Sequence, residues 1–242
     1  MFKSFTLKKA MFLVATLFLV VIMTIIGLEL FKNKSGNLPI YVKIYDSETE
    51  IYSYSYNGDK SQKNANRIEV PAEWKGLAVT EIGARAFQNF KIESVFLPST
   101  IKIIHDYAFL GCTMLGAIEI PVNVEEIKFA AFKGCTSLAS VAFETNKIEK
   151  IDGDTFQNCI DLEYIAIPAS VNTIGSRAFA GCTALETIKI MRTASVIIIV
   201  NDTFQGCINI DEILVPNPTV QGQYIASPMW AWAIDPNLIW VG

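Results

Sequence analysis

Residues 162–182, LEYIAIPASVNTIGSRAFAGC, decide the fold, because their key side chains return along the chain at a nearly fixed interval. The phenylalanines Phe87, Phe109, Phe132, Phe156, Phe179 and Phe204 are spaced by 22, 23, 24, 23 and 25 residues. Five residues before each stands an isoleucine: Ile82, Ile104, Ile127, Ile151, Ile174 and Ile199. Three residues after the last five stands a cysteine, Cys112, Cys135, Cys159, Cys182 and Cys207, and Phe90 holds that place in the first copy. A second apolar run follows, as in Leu115, Ile118 and Ile120 or Leu185, Ile188 and Ile190. Proline closes it at Pro98, Pro121, Pro168 and Pro216, while Glu144 and Met191 replace it in two copies.

Six copies at this period predict a solenoid in which each turn lays one short strand beside the same strand of the next. Alternation of the Ile-x-Ile type turns one face of each strand inward, and proline, lacking an amide hydrogen, ends it. The phenylalanine plugs the coil opposite the strand. Its flanking Ala-Phe-x-Gly-Cys segment fits a tight turn or a single helical turn, with Gly111, Gly134, Gly181, Gly206, Asn89 and Asn158 at the bend.

The pattern Leu-x-x-Ile-x-Ile-Pro followed by Val-x-x-Ile-Gly-x-x-Ala-Phe-x-Gly-Cys resembles the BspA-like leucine-rich repeat. The resemblance covers the body almost end to end, with residues 67–87 similar to the family's entry repeat. It implies a leucine-rich repeat solenoid, a right-handed β/α superhelix with a parallel sheet on the concave face and short helical turns opposite. It also implies adhesion to host matrix or neighbouring cells, although a fold does not fix a function.

The organisation reads as 1–34, a signal anchor or signal peptide plus linker; 35–66, a β-hairpin cap; 67–217, about six repeats; and 218–242, a closing cap. Residues 11–28, from Met11 to Leu28, carry no charge and follow Lys3, Lys8 and Lys9. As a helix they would span about 27 Å, close to a bilayer's hydrocarbon thickness. The basic flank then stays inside and the body is exported. A cleaved signal peptide is the competing reading, and it exports the body too. The protein is therefore expected on the extracellular side of the membrane, anchored through these residues, or secreted if they are removed. Residues 38 to 56 alternate as a hairpin over the open first coil, and Trp230, Trp232 and Trp240 read as a lid over the last, with an exposed docking surface as the rival.

Net charge is −4; residues 1–34 hold five lysines and one glutamate of the 20 basic and 24 acidic residues, which leaves the remainder at 15 against 23. Such a body has no means to neutralise a phosphate backbone, so no nucleic acid is expected as a partner. His105 is the single histidine, leaving little material for a multi-histidine metal centre or a hydrolytic triad. The reading is of a non-enzyme with no catalytic residue, metal or cofactor. Asp152-Gly153-Asp154 offers too few carboxylates for calcium, and Glu125-Glu126 and Asp211-Glu212 are side chains that diverge within strand-flanking segments. The five cysteines occupy equivalent positions whose parallel vectors, about 4.8 Å apart, do not suit a bridge, so a buried ladder of reduced thiols is expected.

What remains is surface. The outward strand positions pair Ser94 with Phe96, Ala117 with Glu119, Ser140 with Ala142, Tyr164 with Ala166, Thr187 with Lys189, and Glu212 with Leu214. Phe96, Glu119, Tyr164, Thr187, Lys189 and Leu214 are the candidate contacts with another protein or a cell-surface glycoconjugate. The plain rival is that these are ordinary solvent-facing residues. Residues 196–200, an apolar run, form a second candidate patch, with burial under the adjoining insertion as the rival. The functional expectation is adhesion through the concave face; the alternative is an envelope scaffold with no external ligand.

Overall fold

The computed structural model describes residues 41–46, 51–193, 195–200, 202–226 and 235–241. The 11–28 segment, Trp230 and Trp232 lie outside them. Among the described residues no helix is long and apolar enough to cross a membrane.

Two rows of parallel strands run the length of the body. The row of longer strands comprises Arg67–Glu69, Ser94–Phe96, Ala117–Ile120, Ser140–Phe143, Tyr164–Ile167, Thr187–Ile190, Glu212–Val215 and Ile239–Val241. It carries the Ile-x-Ile run, and its burial alternates as that pattern requires: Ile118, Ile120, Ile165, Ile167, Ile188 and Ile190 are buried. The second row, of two-residue strands after its first member, passes through Ile104, Ile127, Ile151, Ile174 and Ile199, all buried. Its first member, Leu77–Ile82, pairs in parallel with Ile51–Tyr56, which pairs antiparallel with Tyr41–Asp46. The hairpin thus occupies the edge that the first coil would otherwise leave open. At the other end, Pro218–Ile225 is a helix capped by Asn217, whose side chain accepts from the Val220 amide, and Ile239–Val241 adds the last strand of the longer row.

The phenylalanines form one column. Phe87, Phe109, Phe132, Phe156, Phe179 and Phe204 stack ring on ring with centroids 4.8, 5.0, 5.5, 5.4 and 5.6 Å apart and planes within 13°. Tyr56 of the hairpin continues the column at 5.3 Å from Phe87.

Of the two local forms open to the segment around each phenylalanine, the chain takes the tight turn. Asn89, Gly111, Gly134, Asn158, Gly181 and Gly206 are left-handed, with φ between 58° and 81°. A second left-handed position lies two residues before the phenylalanine, at Arg85, Tyr107, Ala130, Asp154 and Arg177, with φ between 53° and 58°. That conformation costs a residue with a Cβ about 1–2 kcal/mol. A third ladder accompanies it: the amides of Tyr107, Phe109 and Gly111 donate to the carbonyls of Phe129, Ala131 and Lys133 in the next coil, at 3.0, 2.7 and 2.8 Å. The strained backbone aims alternate amides along the solenoid axis, where each finds an acceptor.

The cysteines are free thiols, four buried and Cys207 partly exposed. They do more than fill space. Each donates to the carbonyl of the phenylalanine in the preceding coil: Cys112 to Phe87 at 3.0 Å, Cys135 to Phe109 at 3.2 Å, Cys159 to Phe132 at 3.3 Å, Cys182 to Phe156 at 3.2 Å and Cys207 to Phe179 at 3.0 Å. Burial pushes Cys159 up to about 12, whereas the hydrogen bond from Cys182 holds Cys207 below the ordinary thiol value. Because the thiolate is the reactive form, a maleimide should label Cys207 first in the folded protein. The other four should react only after unfolding, and mass spectrometry of the denatured, unreduced chain should count five free groups. Two missing groups would mean a disulfide and contradict the ladder.

Candidate functional site

Strand pairing places the six candidate residues on one face but not in one patch. The longer row is hydrogen-bonded as three separate sheets, with Arg67–Glu69 beside Ser94–Phe96, Ala117–Ile120 beside Ser140–Phe143, and the last four strands together. Phe96 and Glu119 belong to the first half of the face, Tyr164, Thr187, Lys189 and Leu214 to the second.

The second half is a continuous four-stranded surface. Register sets Tyr164 beside Thr187 and Thr187 beside Glu212, and sets Ala166, Lys189, Leu214 and Trp240 in one outward line. The Thr187 hydroxyl donates to Glu212 at 3.1 Å, fixing both side chains on the surface. Tyr164 is 43% exposed and Trp240 56% exposed. Lys189 and Leu214 are half-buried between them. The sequence leaves Trp240 open between a lid and an exposed docking surface; its place beside Leu214 follows from the final strand joining this row.

In the first half, Phe96, 52% exposed, forms one wall of a cavity of about 440 Å³ completed by Pro98, Ser99, Glu119, Pro121 and Glu144. Glu144 stands where other copies have the closing proline, and its freed amide donates to the Ile120 carbonyl at 3.0 Å. This extra rung carries Glu144 diagonally opposite Glu119 on the same outward side, within reach of long side chains. The two carboxyls are close enough to share a hydrogen bond, and that bond together with the like charge of Glu119 raises Glu144 above its ordinary value. Met191, the other replacement, likewise donates to Ile167 at 3.0 Å.

The remaining candidates are structurally engaged. Asp154 is buried between Lys133 at 2.8 Å and Arg177 at 3.0 Å, and Asp152 pairs with Lys150 at 2.6 Å. Among the described residues no group of three or more histidine, cysteine or acidic side chains is arranged to hold a metal. The His105 Nε2 meets Glu81 at 2.7 Å on the short-strand side, diagonally across neighbouring coils, since Glu81 pairs in register with Ile103. In the 196–200 run, Ile197 and Ile199 are buried while Ile198 and Val200 are exposed, so burial accounts for one side of that stretch and the other side is open to solvent.

A model of the BspA type leucine-rich repeat region matches six copies across residues 24–150 and 80–211. The chain belongs to the BspA-type leucine-rich repeat family. Among solved structures, the leucine-rich repeat protein of T. pallidum is 29% identical, with a TM-score of 0.59 over 72% of this chain and 78% of that one. A leucine-rich repeat protein from Eubacterium ventriosum is 19% identical, with a TM-score of 0.52 over 68% of this chain and 49% of its own. The pneumococcal vaccine antigen PcpA is 18% identical, with a TM-score of 0.54 over 73% of this chain and 53% of its own. The last two share the fold, and this chain spans about half of each. No curated protein sequence matches. In this BspA-type repeat array the inward residues are committed to stacking, so the outward positions are the ones left to touch anything else.

Proposed function

We propose that this BspA-type protein is an exported surface binder that attaches to another protein or a cell-surface glycoconjugate through the face of its longer strands, with adhesion as the outcome. One observation carries the reading: three aromatic side chains, Phe96, Tyr164 and Trp240, stand more than two-fifths exposed on a single face. Exposed aromatics among small residues are the usual anchors of a contact surface, and a backbone pinned in parallel ladders loses little further freedom on binding. The uncharged 11–28 segment behind a basic flank supports export.

The test replaces Phe96, Tyr164 and Lys189 together with alanine and measures attachment of the purified protein to immobilised matrix proteins and to cells. Attachment should fall at least about tenfold, the scale of losing one or two anchors. Circular dichroism and the melting curve should be unchanged, since all three side chains lie outside the core. Unchanged attachment would remove this face from the function. A parent that attaches to nothing would favour an envelope scaffold.

A further inference from the structure

We propose that the cavity formed by Phe96, Glu119 and Glu144 receives a basic side chain, the ammonium of a lysine or the guanidinium of an arginine, from an extended segment of a protein partner. This rests on the surface-binding reading and names the chemistry that one end of that face selects.

The first element is charge. Of the outward residues on the first four longer strands, Glu69 and Glu119 are acidic, Arg67 is the single cation, and Glu144 follows at the end of the fourth strand. Arg67 pairs in register with Ser94, on the other outward line from Phe96. Among the described residues no lysine, arginine or histidine forms an ion pair with Glu119 or Glu144, although five other acidic residues of this body have such partners. Two carboxyls that line one cavity from diagonal positions on neighbouring strands repel when both are ionised. That repulsion is relieved by a proton or by a cation between them.

The second element is the aromatic wall. Phe96 sits beside Glu69 in register and faces Glu119 across the break between the first two sheets. An aromatic face within about 6 Å of a cation attracts it through the ring quadrupole, and a carboxylate beyond it adds a charged hydrogen bond. The buried Pro98 and Pro121 give the cavity an apolar floor on which a methylene stem can lie. A side chain with an apolar stem and a cationic tip matches this sequence of surfaces. A bare divalent ion matches it poorly, since two carboxyls supply too few oxygens for the six to eight that calcium takes, and the ring supplies none.

The third element is reach. Glu119 lies on the third longer strand and Trp240 on the eighth, so five strand spacings of about 4.8 Å separate them, about 24 Å in all. About seven residues of extended chain cover that distance. A partner segment can therefore place its cation in the cavity while apolar residues lie over Tyr164, Leu214 and Trp240.

The experiment uses the full chain in a neutral detergent and titrates it calorimetrically with capped glycine–serine peptides carrying paired lysines, paired arginines or paired acetyl-lysines. The lysine and arginine peptides should bind about tenfold more tightly than the acetyl-lysine peptide, the combined scale of an exposed cation–π contact and a charge pair. The preference should shrink with salt. Glu119→Gln with Glu144→Gln should abolish it, and Phe96→Leu should weaken both basic peptides while leaving the melting curve in place. Equal binding of the acetylated peptide, a preference that survives the double glutamine variant, or full competition by calcium alone would each overturn the proposal. If the alanine variants of the previous section lose attachment while the peptides are not discriminated, the adhesive face stands and the cation site falls. If the peptides are discriminated but the parent protein attaches to no surface, the reverse holds.

Discussion

Truncating Phe132 to alanine is expected to lower the stability of the solenoid by about 3–5 kcal/mol, the cost of a large aromatic deleted from a closed core. The ring is fully buried and stacks on Phe109 at 5.0 Å and Phe156 at 5.5 Å, so no rim exists through which water or a neighbouring side chain can fill the void. The column is also the element shared by every coil, and a repeat array holds together through its nearest-neighbour interfaces. Loss in the middle should therefore divide the array, and chemical denaturation followed by tryptophan fluorescence and by far-ultraviolet circular dichroism should show transitions that no longer coincide. Phe204→Ala is the comparison. That ring is the last of the six, is 5% exposed and stacks on Phe179, so its loss leaves the five preceding rings joined and should cost less. Equal costs at the two positions would mean that the phenylalanines are independent plugs and the column has no cooperative part in the fold.

The second large effect is expected at Gly58, where the hairpin meets the first coil. Its φ is +75°, and a Cβ built there would lie 1.8 Å from the Ala86 carbonyl oxygen and 2.7 Å from its carbon, both backbone atoms that no rotamer change removes. Gly58→Ala should cost about 1–2 kcal/mol for the left-handed conformation. Forcing the backbones apart should add about 1–3 kcal/mol. Gly76→Ala separates the two contributions, since Gly76 has a φ of +79° with nothing within 4 Å of the added carbon. That variant should lose only the conformational part. In Gly58→Ala, hydrogen exchange should accelerate first in the amides joining hairpin to body, such as Gly83, which donates to the Tyr56 carbonyl at 2.6 Å. If both variants melt together, the close approach at Ala86 contributes nothing and the cap is held elsewhere.

These two sites show what the sequence makes readable. The phenylalanine column, the inward isoleucines and the bend two residues after each phenylalanine announce themselves through residue type, because each place asks for one shape or for a glycine or asparagine at positive φ. The left-handed position two residues before the phenylalanine does not, for it is filled by Arg85, Tyr107, Ala130, Asp154 and Arg177, which share no property except tolerance of a strain the neighbouring coil offsets. The candidate surface divides in the same way. Phe96 and Glu119 follow from strand alternation alone. Glu144 reads as a missing proline until the extra rung to Ile120 turns it toward Glu119, and Trp240 stays open between lid and exposed surface until the final strand is seen to pair beside Leu214. Alternation is local and visible in one repeat; both missed residues depend on which strand lies next to which.

The thiol and amide ladders give each coil the same plug and the same socket. A coil offers its phenylalanine carbonyl to the following cysteine, and its turn amides reach for carbonyls in that same following coil. A duplicated or deleted unit spliced in at the phase of the repeat would therefore find every donor and acceptor already matched at both seams. The reach of the outer face can thus be lengthened or shortened one strand at a time by copying a unit, with no redesign of the joints.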